Sequence, residues 1–154
     1  MSKDEEYVHY QESITSLNRA WRTICELENT KSGGAIWSAA YRMALIEYCK
    51  PFKKSYGSNN KRHSLCEPAL PEPLLQLHKD IINLRDQVLA HSDINILETS
   101  IYRSEKNISS LPIIVSKLYR NWPSPTQIRA LIEAVLDQLY DSQKHYESYY
   151  RQNP

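Results

Sequence analysis

From about Asp4 to Glu28, apolar or aromatic residues recur at Tyr7, Tyr10, Ile14, Leu17, Trp21 and Ile24. The steps alternate between three and four residues, the period of one helical face, so the segment predicts an amphipathic helix. Lys31-Ser32-Gly33-Gly34 breaks it. A second helix is predicted over about Ala35–Cys49, with Ile36, Ala39, Met43 and Ile46 inward and Pro51 as its stop. Residues 50–70 read as a loop. Pro71 and Pro73 open a third helix running to about His91, with Leu74, Leu77, Ile81, Leu84 and Val88 on its inner stripe.

The stretch from Ser92 to Trp122 is less regular. Thr99–Arg103 and Leu111–Val115 read as two short strands, although the second could equally begin a helical turn. The last helix has a clear start: Ser124 is an N-cap candidate, Pro125 fits the first helical position, and Gln127 completes a capping-box pattern. Ile128, Leu131, Val135 and Leu139 carry its stripe, and Tyr140, Tyr146, Tyr149 and Tyr150 crowd its end, as a cover for a hydrophobic rim or, as the second choice, a subunit contact. The expected fold is a single all-α domain over residues 1–154. It is a bundle of four to five helices with a short irregular or β-hairpin insert around 95–120.

Composition fits that expectation. The chain has 154 residues, 41% hydrophobic and 24% charged, enough for one domain with a real core. Three glycines are few for an all-β protein. No run approaches the roughly 18–20 apolar residues of a membrane span. The polar, acidic start Met1-Ser2-Lys3-Asp4-Glu5-Glu6 is followed by no apolar signal segment, so a cytoplasmic protein is expected. Cys25, Cys49 and Cys66 are too few and scattered for a disulfide framework and fit reduced thiols. Cys25 and Cys49 fall inside apolar patterns, as packing residues do. Without Cys-x-x-Cys or His-x-x-x-His, no metal is expected. The net charge of +1 excludes a molecule that is basic all over, so any nucleic-acid binding must come from a local patch. Lys50, Lys53, Lys54, Lys61 and Arg62 stand together with no acid until Glu67. They are either a solvated connection or a strip that attracts phosphate.

One segment carries candidate chemistry: Ile81-Ile82-Asn83-Leu84-Arg85-Asp86-Gln87-Val88-Leu89-Ala90-His91-Ser92-Asp93. On a helix, Arg85 would meet Ile81, Ile82, Val88 and Leu89, all apolar, with no acid in reach on its own helix. A guanidinium keeps its charge at ordinary pH, so its head needs water, a partner from elsewhere or an anionic ligand. His91 lies about 9 Å further along the axis and about 120° round it. The two can still converge on a point beside the helix, and a two-fold axis nearby would bring a second copy of each. A fixed cation beside a group titrating near neutrality suits phosphodiester chemistry. A histidine in a last helical turn also caps free carbonyls and interacts favourably with the helix dipole, a purely structural reading.

Arg85-Asp86 followed by Gln87-Val88-Leu89-Ala90 and His91 resembles the signature of HEPN domains. Leu84 before the arginine and the ending Ala90-His91-Ser92-Asp93 agree with it, and Tyr48-Cys49-Lys50-Pro51-Phe52 resembles a Tyr-x-Arg-Pro-Phe ending of similar small bacterial proteins. The resemblance covers roughly residues 35–93. It implies a helical bundle that dimerises through the Arg85/His91 helix region, and a metal-independent endoribonuclease of a toxin or defence system. By that resemblance Arg85 contacts the scissile phosphate, Asp86 orients it or the histidine, and His91 is general base or acid for attack by the RNA 2′-hydroxyl. No cofactor is implied, and an antitoxin protein is a further partner. Some family toxins carry a tyrosine two or three residues after the histidine, as a modification site. Here Asp93 and Ile94 stand there, which argues against silencing by that route. Other members have lost catalysis, so a non-catalytic dimeric module binding nucleic acid, nucleotide or protein is the alternative expectation.

Overall fold

The computed structural model describes residues 3–56, 62–86, 100–102, 113–115 and 122–152. Among these, four helices make an all-α bundle: α1 (Lys3–Glu28), α2 (Ala35–Cys49), α3 (Glu72–Leu84) and α4 (Pro125–Gln152). A 3₁₀ turn (Lys50–Phe52) follows α2. Strands β1 (Ser55–Tyr56) and β2 (Arg62–His63) pair antiparallel, as do β3 (Ser100–Tyr102) and β4 (Ile113–Val115), with Ser100 opposite Val115. Of the irregular or β-hairpin insert expected around 95–120, the described residues hold this antiparallel pair β3–β4. The segment expected as a plain loop over 50–70 holds the 3₁₀ turn and a second small ribbon. Its exit is tied back where Leu65 N–H donates to the Pro51 carbonyl at 2.7 Å.

α1 is the central element, packing on α2 along one side and α4 along the other, while α3 closes against α2 and α4 over a shorter stretch. Its stripe behaves as its spacing predicts: Tyr10, Ile14, Leu17 and Ile24 are buried, with Tyr7 and Trp21 at the rim. Leu17, Ile24, Leu45, Ile81, Ile128, Leu131, Ile132 and Val135 are essentially removed from water. Each such side chain contributes roughly 1.5–3 kcal/mol of transfer free energy before entropy is charged against it.

α1 and α4 run antiparallel and are pinned along their length. Arg129 meets Glu28 at 3.4 Å and Trp21 Nε1 donates to Glu133 at 2.9 Å near one end. Tyr146 donates to Glu6 at 2.9 Å and Tyr150 to Asp4 at 2.7 Å near the other. Tyr146 and Tyr150 thus place their hydroxyls on the acidic start of α1, while the hydroxyl of the exposed Tyr140 accepts from Asn18 at 2.9 Å. The capping box at the start of α4 forms as expected. Gln127 N–H donates to the Ser124 hydroxyl at 3.3 Å, and the Gln127 side chain accepts from Ser124 N–H at 2.9 Å.

The expected inner face of α2 is corrected. Ile36 is 87% exposed and Met43 53%, Ala39 is exposed and Ile46 lies at the edge. Tyr41, Ala44, Leu45, Tyr48 and Cys49 go inside instead. This helix is apolar around most of its circumference, so its period does not single out one face. The choice falls to the tyrosines, whose hydroxyls find partners inside: Tyr41 on the Pro123 carbonyl and Tyr48 on His78. The three cysteines form no disulfide, with Cys49 fully buried, Cys25 at the edge and Cys66 exposed. Among the described residues, no helix is long and apolar enough to cross a membrane.

Candidate functional site

α3 begins cleanly because Pro71 is extended and Pro73 takes an early position where no N–H is needed. Its stripe buries Ile81 and lays Leu74, Leu77 and Leu84 against the core. At its end Arg85 N–H is shared between the carbonyls of Ile81 and Ile82, four and three residues back. Arg85 and Asp86 therefore sit where the helix leaves the core, with side chains 36% and 41% exposed. His91 and residues 87–99 lie outside the described residues, so the convergence of Arg85 with His91 rests on sequence.

The structure corrects one expectation about Arg85. An acid is within reach, for Arg85 Nη1 donates to Asp86 Oδ1 at 3.0 Å. Spacing rules for helix faces consider neighbours three and four residues away, whereas a long guanidinium side chain can fold back to the adjacent carboxylate. The other oxygen of Asp86 takes the ammonium of Lys53, from just after the 3₁₀ turn. One carboxylate thus holds two cations from different parts of the chain. Partial burial pushes the Asp86 carboxyl up, but the hydrogen bonds and charges of Lys53 and Arg85 outweigh it, leaving it below the usual carboxylate range. Cys49 lies beneath the group, its Sγ 3.8 Å from the Ile81 carbonyl. Burial pushes its thiol up to about 12 in spite of Arg85 and Lys53 nearby, so it stays protonated and inert.

The basic strip divides. Lys53 joins the motif and Lys54 is exposed beside it. Lys50 pairs with Glu47 and lines a cavity of about 440 Å³ between α1 and the 50–65 segment, one that none of Arg85, Asp86 or Lys53 lines. Arg62 lies in β2, and Lys61 is outside the described residues. Sequence reasoning missed two features. His78, on α3, is buried and bonded to Tyr48 at 2.7 Å. Glu5, His9 and His63 gather beside the cavity. Glu5 and His9, four apart on a helix, were a visible signal. Their meeting with His63 depends on the β1–β2 ribbon, which no local pattern announced.

Comparison with family models, curated proteins and solved structures finds no match for this chain.

Proposed function

We propose that this chain is a metal-independent endoribonuclease of HEPN type, acting as a toxin or defence protein. Arg85 would bind and neutralise the scissile phosphate, His91 would move the proton of the attacking 2′-hydroxyl, and Asp86 would orient the cations. The observation that carries the reading is the ion-pair group Lys53–Asp86–Arg85. It ties Lys53 of the basic strip to the motif and leaves a partly exposed guanidinium at the surface, as a phosphate ligand must be. Lys54, and by sequence Lys61 and Arg62, would add attraction along the RNA backbone. In this reading the protein acts as a homodimer through the Arg85/His91 region, in the cytoplasm, with a protein antitoxin as a further partner.

The same ion pairs favour a second reading, a non-catalytic module, because Arg85 already has a carboxylate partner. Purified protein incubated with single-stranded RNA in chelator separates the two. Cleavage that disappears in His91→Ala while the circular dichroism spectrum is retained supports the nuclease. Cleavage unchanged in His91→Ala ends it. RNA that stays intact at every enzyme concentration, with binding weakened by Arg85→Ala, selects the module.

A further inference from the structure

Glu5 and His9 stand four residues apart on the first turns of α1 and share a face. His63, in β2, reaches the same spot from across the ribbon. The imidazoles of His9 and His63 lie 3.8 Å apart and nearly parallel, and His63 Nε2 is 3.6 Å from Glu5 Oε1, beyond hydrogen-bond reach. One ligand atom from each of the three residues lies within 4.8 Å of the others. The side chain of His63 is only 9% exposed, and its Nε2 is withdrawn from water with no hydrogen-bond partner. Burying a ring nitrogen in that way is costly unless something occupies its lone pair. The cluster borders the 440 Å³ cavity, which Glu6 and Glu12 also line.

We propose that Glu5, His9 and His63 form a binding site for a divalent first-row transition metal of the zinc type. Two imidazoles and one carboxylate are a donor set that such ions take, whereas magnesium and calcium prefer oxygen alone. An anionic ligand is disfavoured by Glu5, Glu6 and Glu12, and the one lysine lining the cavity is held by Glu47. Three protein ligands leave a fourth position, facing the cavity, for water or a small donor. Zinc holds its ligand atoms about 2.0–2.2 Å from itself and hence about 3.4 Å from one another. Binding therefore draws the donors inward by at most about 1 Å. It also splays the stacked rings, since a metal lies in the plane of each imidazole it binds. The ion would clamp the β1–β2 ribbon to α1. The site goes beyond the nuclease reading and does not depend on it, because none of its ligands belongs to the Arg85–Asp86 group.

The test is titration of zinc chloride into tag-free, chelator-stripped full-length protein, followed by calorimetry and by thermal unfolding. The expected result is one ion per chain at micromolar or tighter affinity, with a raised Tm. His9→Gln and His63→Gln should each weaken binding at least roughly tenfold. Cys66→Ser and His145→Gln, at exposed residues outside the cluster, should leave it unchanged. A second readout on the wild type does not rely on the variants folding. In the long-range imidazole proton–nitrogen spectrum, zinc should shift two of the five histidines. Absence of binding, affinity undiminished in both His9→Gln and His63→Gln, or shifts confined to other histidines would each overturn the proposal.

Discussion

The Tyr48–His78 pair offers a sharp test of how α2 and α3 are held together. Both residues are buried, at 0% and 4% exposure, and the hydroxyl lies 2.7 Å from Nδ1. With the ring neutral, Nδ1 accepts from the hydroxyl, which assigns the proton to Nε2. Tyr48→Phe keeps the ring and its packing against Phe52, so no cavity opens and the change isolates the hydrogen bond. It removes a net bond worth about 1 kcal/mol and leaves Nδ1 buried without a donor, for a total of roughly 1–3 kcal/mol. For a chain of this length about 2 kcal/mol lowers Tm by about 4–8 °C. Urea unfolding followed by circular dichroism should show the midpoint falling with the slope unchanged. A loss under about 0.5 kcal/mol would refute the view that this bond fixes the inner face of α2. The pair also predicts acid sensitivity. Burial lowers the His78 pKa, helped by Lys79 and opposed by Glu67. Below about pH 6.5 the unfolded chain takes up a proton that the folded chain does not. Stability should therefore be complete above about pH 6.5 and fall as pH drops toward the lowered folded value. That loss should flatten in His78→Gln, and an equal loss in that variant would remove His78 as its source.

Four further outcomes are expected. Leu17→Ala, at a fully buried position where α1 meets its neighbours, should cost about 3 kcal/mol by urea unfolding, from lost transfer energy and the cavity left behind. Ser124→Ala removes the hydroxyl that accepts from Gln127 N–H and should cost about 1 kcal/mol in the same assay. Gly33→Ala meets no atom within 4 Å but must adopt a φ of +101°, so strain alone should lower stability by roughly 1–2 kcal/mol. Asp86→Asn breaks a half-exposed ion-pair group and should change stability by less than about 1 kcal/mol. It should also steepen the salt dependence of RNA binding, measured by fluorescence anisotropy, as two cations lose their carboxylate.

The elements that could be read from sequence were those with one unambiguous apolar stripe or a stereotyped end. α1 and α4 come nearest: the start of α4 follows from its capping box, and the buried Tyr10, Ile14, Leu17, Ile24, Ile128, Leu131 and Val135 follow from period. Leu139, by contrast, lies at the edge, and Ile132 and Leu136 are buried beside the expected stripe. α2 shows the opposite case: its ends were legible from Gly33-Gly34 and Pro51, but its face was not. Its choice depended on hydroxyl partners at Pro123 and His78, which lie far off in the chain. The candidate site divides in the same way. Arg85 and Asp86 were visible as a motif, while the link from Asp86 to Lys53 required the 3₁₀ turn after α2 to come back toward the end of α3. The three-residue cluster on α1 and β2 was hidden for the same reason, since its third member comes from a ribbon of two-residue strands with no sequence period to announce it.

The pairing at Asp86 bears directly on whether this surface can receive a phosphate. Two cations face one carboxylate, so the group keeps a net positive charge, and the thiol of Cys49 below adds no negative charge because burial keeps it protonated. A guanidinium has more N–H groups than one carboxylate oxygen engages, so Arg85 can hold Asp86 on one edge and offer another to a ligand. Fixing the arginine before the ligand arrives also reduces the rotamer entropy that binding would otherwise cost. Asp86 therefore need not compete with phosphate; it can hold the two cations ready for it. Because the whole chain is close to neutral, the proposed nuclease would need such a preset local charge to attract a phosphodiester without attracting polyanions over its entire surface.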